Sequence, residues 1–164
     1  MRLRNAVPRD ANVLTALALR SKGHWGYPES FLDTCRAELT VTPEELESDR
    51  ANYVVAETDG VVTGFYGVKR TDGASYELEA LFVEPSLTGT GIGRLLLAEA
   101  LKDVFNRGGS SLVVQSDPNA AAFYRACGGR EIGRRESDSI PGRYLPLFLF
   151  TTRDVAHGAR QRGP

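Results

Sequence analysis

The chain is short of several things that would point to a function on their own. Cysteine is scarce: Cys35 and Cys127 are the only two in 164 residues, far apart in sequence. Two cysteines make no disulfide framework, histidine occurs twice, and no spacing of these residues suits a zinc site. The expectation is a reducing, cytoplasmic compartment and no metal. Charge of one sign is also lacking. Twenty Lys and Arg stand against 21 Asp and Glu, a formal net charge of −1. Without a basic excess, neither nucleic acid nor an anionic membrane is an expected partner. No wholly apolar run is long enough to cross a bilayer. The first ten residues, "MRLRNAVPRD", carry no apolar segment after the arginines and do not read as an export signal. Neither a repeat nor a linker divides the chain, and its length suits one domain. That domain is expected over residues 1–152, with 153–164 as a flexible tail ending in the aperiodic "AHGARQRGP".

What is present is glycine, 17 in all, unevenly spread. In "LEALFVEPSLTGTGIGRLLL", Leu78 to Leu97, Gly89, Gly91 and Gly93 fall where a strand-like run hands over to a helix-like one. Each glycine costs backbone entropy on folding, so the cluster needs a compensating cause. A strand, a glycine-rich turn and a helix start make an anion site. The first-turn N–H groups have no intrahelical partner, the helix dipole adds positive potential, and no Cβ holds a ligand away. The competing reading is clearance for a helix packed closely on a sheet. Three such glycines flanked by the hydroxyls of Thr88 and Thr90 favour a phosphate.

The flanking sequence supplies the frame. Arg2 to Ala6 reads as a short strand. Pro8 and Asp10 start a helix with Val13, Leu14 and Leu17 on its apolar face, weakening near Ser21. "KGHWGYPES" is an aromatic loop, Phe31 to Leu39 a second helix, and Thr42 to Leu46 a capped helical turn. Two turns, at Asp59-Gly60 and Thr71 to Gly73, join three strands into an antiparallel meander ending before Pro85. Gly91 to Phe105 is helical, with Ile92, Leu95, Leu96, Val104 and Phe105 as its apolar face. "SLVVQS" is a buried-type strand, and "DPNAAAFYRACGG" a complete short helix with an Asp cap and terminal glycines. "REIGRRES" and "YLPLFLF" close the sheet around a Pro141-Gly142 loop.

Two nucleotide motifs fit badly. The P-loop needs a Lys after its glycines, and none follows. The dinucleotide fingerprint G-x-G-x-x-G follows its strand directly. Here the spacing is G-x-G-x-G, and Glu84 to Thr88 intervene. Asp117 could stand in for the ribose-binding acid, which keeps a nicotinamide oxidoreductase as a minor alternative.

The element order and Thr88-Gly89-Thr90-Gly91-Ile92-Gly93 resemble the GNAT superfamily of acyl-CoA N-acyltransferases and its [QR]-x-x-G-x-[GA] signature. "DPNAAAFYRACGGREIG" is similar to the family's N-x-x-A-x-x-[FL]-Y-x-x-x-G-F segment. The motifs cover Glu79 to Gly133, and the element order extends the resemblance to about residues 2–150. Thr88 departs from the usual Gln or Arg, Asp117 from Asn, and Gly129 from an aromatic. The resemblance implies an α/β (α+β) fold. It has a mixed, mainly antiparallel sheet of about six to seven strands and about four helices. It also implies a splayed strand pair holding acetyl-CoA as co-substrate. The pyrophosphate would rest on the N–H groups of Gly89, Thr90, Gly91, Ile92, Gly93 and Arg94, beside Thr88. Pantetheine would pair with Leu81, Phe82 and Val83, and Asn119 and Phe123 would complete the donor site.

Transfer of an acetyl group to an amine needs the amine deprotonated, the carbonyl polarised and the leaving thiolate stabilised. By the resemblance, Tyr124 meets the departing sulfur. A free phenol titrates near about 10 and a thiol near about 8.5, so hydrogen bonding is an easier role for it than full proton donation. The bland alternative for Phe123-Tyr124 is core packing. Glu77 and Glu79, two apart on a strand, share a face; Glu79 is the candidate base and Glu77 a neighbour in the acceptor wall. Their bland alternative is a solvent-facing edge. His24, Trp25 and Tyr27 offer an aromatic acceptor wall, with His24 as a second base candidate. Trp25 taken alone reads as well as a core anchor for its loop. Arg143 is a candidate partner for an acidic group on the acceptor.

These residues favour an acetyl-CoA-dependent N-acetyltransferase acting on a primary amine of a small molecule or peptide, as monomer or homodimer. The alternative is a non-catalytic acyl-CoA-binding module.

Overall fold

Alternation and turn chemistry build the first half of the sheet. The structure, a computed structural model, describes residues 1–153. Strand β1 (Arg2–Asn5) leads through a 3₁₀ turn at Pro8–Asp10 into α1 (Ala11–Gly23) and α2 (Glu29–Leu39). The short α3 (Pro43–Leu46) follows, capped by Thr42, whose hydroxyl accepts from the Glu45 N–H while the Glu45 carboxylate accepts from the Thr42 N–H. The meander β2 (Ala51–Thr58), β3 (Val61–Asp72) and β4 (Ser75–Val83) is antiparallel. Its first turn has Asp59 and Gly60 both at positive φ, +52° and +78°, as a tight two-residue hairpin requires.

The second half crosses over. After β4 comes a 3₁₀ turn at Pro85–Leu87, then α4 (Ile92–Asn106), β5 (Ser111–Gln115), α5 (Ala121–Ala126), β6 (Arg130–Glu136) and β7 (Tyr144–Thr151). The strands order β1-β2-β3-β4-β5-β7-β6 in one seven-stranded sheet. Only β4 and β5 run parallel, and only over Ser75–Glu77 against Ser111–Val113. Beyond Glu77 the two strands part, while β5 stays paired with β7 to Gln115. The splay expected from the sequence is therefore present. A single parallel pair also removes the dinucleotide alternative, which needs a parallel doubly wound sheet.

Two cores lie on opposite faces of the sheet. On one side α4 and α5 bury Leu96, Leu97, Val104, Leu112 and Phe148; on the other α1 and α2 bury Leu14, Leu17, Val55 and Phe65. A side chain such as Leu96, fully buried, contributes about 1.5–3 kcal/mol by leaving water. The apolar faces differ in detail from expectation. Val13, Leu95 and Phe105 are 47%, 38% and 45% exposed. The true stripes are Leu14, Leu17 and Ala18 on α1, and Leu96, Leu97, Ala100 and Val104 on α4. The Thr42 turn forms a fifth α-helix beyond the four expected. Except for Arg153, the expected tail lies outside the described residues.

Strand β4 carries a bulge that matters for the site. Gly67 pairs with Ala80 and Val68 with Leu78, so Glu79 is the extra residue. Before it, Tyr76 and Leu78 face the α4 core; after it, Leu81 and Val83 do, while Ala80 and Phe82 face α1.

Candidate active site

The glycine turn is built for approach to bare backbone. Gly89 and Gly91 have φ of +82° and +94°, and Gly91 is the N-cap of α4. A Cβ added at either would meet nothing within 4 Å, so neither is there for clearance. The glycine that grants the helix its approach to the sheet is Gly64 on β3, where a Cβ would meet Leu96 at 2.9 Å and the Phe82 carbonyl at 3.0 Å. Among the described residues, the N–H groups of Gly89, Gly91, Ile92, Gly93 and Arg94 donate to no protein partner. The Thr90 N–H and hydroxyl are both turned back onto the Leu87 carbonyl. These donors suit a diphosphate.

A cavity of about 350 Å³ runs from this turn along β4. It is lined by Leu81, Val83, Thr88, Gly89, Gly91, Gly93, Arg94, Asn119, Phe123 and Tyr124 among others. Most of the expected donor-site residues are thus brought together. Phe82, Thr90 and Ile92 do not line it: Phe82 lines the second cavity, Thr90 is bonded to the Leu87 carbonyl, and Ile92 packs on the α4 core. Past Glu77 the edge of β4 toward β5 has no strand partner, which leaves it free to pair with an extended ligand.

A second cavity of about 180 Å³ opens in the splay. Its floor is apolar, with Leu39, Leu78, Val114 and Leu145; its polar groups are Ser21, Lys22, Glu38, Glu79, Gln115 and Asp117. Both cavities include Ser21, Trp25, Leu81, Ala120 and Tyr124, so they meet there. A larger hollow of about 630 Å³ lies at the far end of β4, around Arg50, Arg70, Tyr76 and Arg107, and contains none of these residues.

Tyr124 stands at the junction. Its ring is core, 7% exposed and packed edge-on against Phe123 and Phe150 and beside Phe148. Its hydroxyl bonds to no described residue, yet no fully buried side-chain oxygen lacks a partner. The hydroxyl therefore opens into the cleft. Burial pushes the phenol well above its ordinary range, which makes proton release harder and leaves hydrogen bonding as its natural contribution.

Glu79 lines the second cavity from the bulge. Its carboxyl is raised, first by burial and then by Glu77, with Lys69 opposing. Its side chain still reaches solvent. Glu77 is instead paired with Arg135 and lines neither cavity. His24 is exposed and also lines neither. Trp25 is 44% exposed at the shared mouth, so it is not the core anchor it could have been. Tyr27 and Arg143 are bonded to each other, 2.9 Å apart, behind the wall; Arg143 is already engaged with the protein. Sequence reasoning missed Lys22, Glu38 and Gln115. They sit on the ends of α1, α2 and β5, and no local pattern marks them. Among the described residues no group of three or more His, Cys, Asp and Glu is placed to hold a metal. No helix there is long and apolar enough to cross a membrane.

The comparisons with known proteins agree with this geometry. The N-alpha-acetyltransferase RimI of Mycobacterium tuberculosis is 41% identical over 96 residues, which is 56% of this chain and 60% of that protein. The chain thus spans less than two thirds of that relative. The PaiA N-acetyltransferase of Thermoplasma acidophilum, solved with coenzyme A, superposes with a TM-score of 0.76 at 20% identity, covering 92% of this chain and 98% of the other. An aminoglycoside 6'-N-acetyltransferase, also complexed with coenzyme A, gives 0.70 at 21% identity over 93% and 97%. At those identities the structures establish the shared fold. Residues 17–128 match the profile described as the Acetyltransferase (GNAT) family, and the chain belongs to that family of acyltransferases.

Proposed function

We propose that this protein is an acetyl-CoA-dependent N-acetyltransferase that acts on a primary amine of a small molecule or peptide by direct attack on the thioester. One observation carries the reading: a donor cavity and an acceptor cavity meet at Tyr124. A module that only bound acyl-CoA would have no use for the second cavity.

The residues divide the work. The open cradle at Gly89 and Gly91, where a Cβ would find free space, fits a pyrophosphate. The free edge of β4 holds the pantetheine arm. Acetyl-CoA supplies the activated acetyl group. Glu79, its carboxyl raised by burial, accepts the amine's proton directly or through water. The Tyr124 hydroxyl donates to the departing sulfur as charge develops. The 180 Å³ of the acceptor cavity and its apolar floor suit a compact amine or a single peptide end. The unpaired thiols Cys35 and Cys127 support a cytoplasmic compartment.

The test is a screen of amines (polyamines, aminoglycosides, amino acids and peptides) for acetyl-CoA-dependent thiol release. Release with one amine class is expected. Acetyl-CoA binding without release across the whole panel would favour the binding module.

A further inference from the structure

We propose that Asp117 is a positioning residue for acetyl transfer. It draws α1, the α1–α2 loop and the β6–β7 loop onto the start of α5, and so sets where the Tyr124 hydroxyl stands. The inference rests on the acetyltransferase reading above.

The Asp117 carboxylate is the anion at the centre of a cluster drawn from four separate parts of the chain. It caps the 3₁₀ turn Pro118–Ala120 that opens α5, accepting from the Asn119 N–H at 2.9 Å and the Asn119 amide at 3.0 Å. The Tyr27 hydroxyl donates to it at 2.9 Å, and Lys22 Nζ lies 3.2 Å away. Arg143 is at 3.8 Å and donates to the Tyr27 oxygen at 2.9 Å. Phe31 stacks on Tyr27 with centroids 4.2 Å apart, and the Arg143 guanidinium lies 4.9 Å over Phe31. Burial acts to raise the Asp117 carboxyl, but the Asn119 N–H, Lys22 and the Tyr27 hydroxyl outweigh it and hold the carboxyl below the usual carboxylate range.

Position follows from the geometry of α5. The helix is short, and its Tyr124 ring is fixed from below by Phe148 and Phe150. The capping carboxylate fixes the other end. Together the two points set the helix along its axis and hold the hydroxyl at the junction of the cavities. The same carboxylate lines the acceptor cavity together with its partner Lys22, and Tyr27 is bonded to it from the α1–α2 loop. Loss of the anion leaves two cations, Lys22 and Arg143, around the Tyr27 ring with no carboxylate to balance them.

The experiment compares Asp117→Ala, Asp117→Asn and Tyr27→Phe, each checked for fold by circular dichroism, with the best amine from the screen. Asp117→Ala is expected to lower kcat about 10- to 100-fold, the scale of a small misplacement of reacting groups, with the KM for acetyl-CoA little changed. Asp117→Asn keeps an oxygen for the Asn119 N–H but loses the charge that holds Lys22, so it should restore the rate only in part. In a Tyr124→Phe background, Asp117→Ala should cost little more, because it acts through that hydroxyl. Acrylamide quenching of Trp25, the single tryptophan, reports the α1–α2 loop without any acceptor. It should rise in Asp117→Ala and Tyr27→Phe. Wild-type kcat in both variants overturns the proposal, as does a loss that multiplies in full with Tyr124→Phe. If Asp117→Ala does not fold, Tyr27→Phe, which removes one hydroxyl, decides on the same readouts. Were the wild type to release no thiol with any amine, the acetyltransferase reading would fall, while the quenching would still report the anchoring.

Discussion

The proposed donor cavity ends in a turn of bare backbone, whereas the polar groups of the proposed acceptor cavity are mostly side chains bonded to one another. At the proposed donor end, the N–H groups of Gly89, Gly91, Ile92, Gly93 and Arg94 stand open, an arrangement suited to an anion. At the acceptor end, Lys22 and Asp117 are paired, Tyr27 and Arg143 brace them, and Glu79 remains as the carboxylate free to act. A backbone site depends on conformation more than on side-chain identity. A side-chain site is individual to its chain. The contrast explains why Thr88, in place of Gln or Arg, removes one side-chain donor from the donor site and leaves every backbone donor in place.

Filling the backbone half should have the largest effect. Gly91→Val puts a Cβ into ligand space and a β-branched residue at φ +94°. Wild-type protein at hundredfold excess of acetyl-CoA over Kd should gain about 2.7 kcal/mol. For a domain of this size that is a rise in melting temperature of roughly 5–11 °C. The variant should show none of it, and equal shifts in both proteins would break the assignment of this half.

At the junction, Tyr124→Phe keeps the ring and its packing. A fall in kcat of about 10- to 1,000-fold with KM steady is expected, the range between a charge-assisted hydrogen bond and general acid catalysis. A fall below about threefold would place the hydroxyl outside the chemistry.

On the side-chain half, Glu79→Gln should lower turnover by about tenfold or more at low pH and much less at high pH, where free amine is plentiful. The raised carboxyl sets the lower limit of that difference: as pH falls through it the wild type loses its base as well and the two profiles converge, so the gap is widest above that point and below the pH at which free amine predominates. If the profile stays wild-type while His24→Ala flattens it, the base is His24.

The smallest effect on ligand binding should come from the glycine that serves packing. Gly64→Ala crowds Leu96 and the Phe82 carbonyl, so it should cost about 1–3 kcal/mol of stability by urea titration. The acetyl-CoA Kd should stay unchanged. A large change in Kd there would blur the division between the two kinds of glycine.

The same division decides what could be read from the sequence. The glycine turn, its helix and the Asp117 cap are signalled by spacing over a few residues, the splayed strands are implied by the family resemblance, and all appear where expected. The acceptor wall is set by tertiary pairing. Tyr27 meets Asp117 across 90 positions and Arg143 across 116, so nothing local reveals that Arg143 is engaged or that Lys22 reaches the cavity. Apolar residues beside a helix stripe mislead for a related reason. Val13 and Leu95 adjoin Leu14 and Leu96 in sequence, but neighbours on a helix are turned by about 100° and only one of each pair reaches the core. Trp25 has the composition of an anchor and the position of a rim.

The bulge at Glu79 means that β4 is read in two frames. Up to Leu78 even-numbered residues meet α4; from Leu81 odd-numbered ones do. A single inserted residue thus lets one strand serve two masters, holding the sheet core with its first half and turning Ala80 and Phe82 toward α1 with its second. It also makes the strand sensitive to parity rather than to length. Deleting Glu79 alone restores regular alternation with Tyr76, Leu78, Leu81 and Val83 still on one face, so it removes the carboxylate without turning the strand, whereas deleting any one residue beside the bulge turns everything past it to the wrong face.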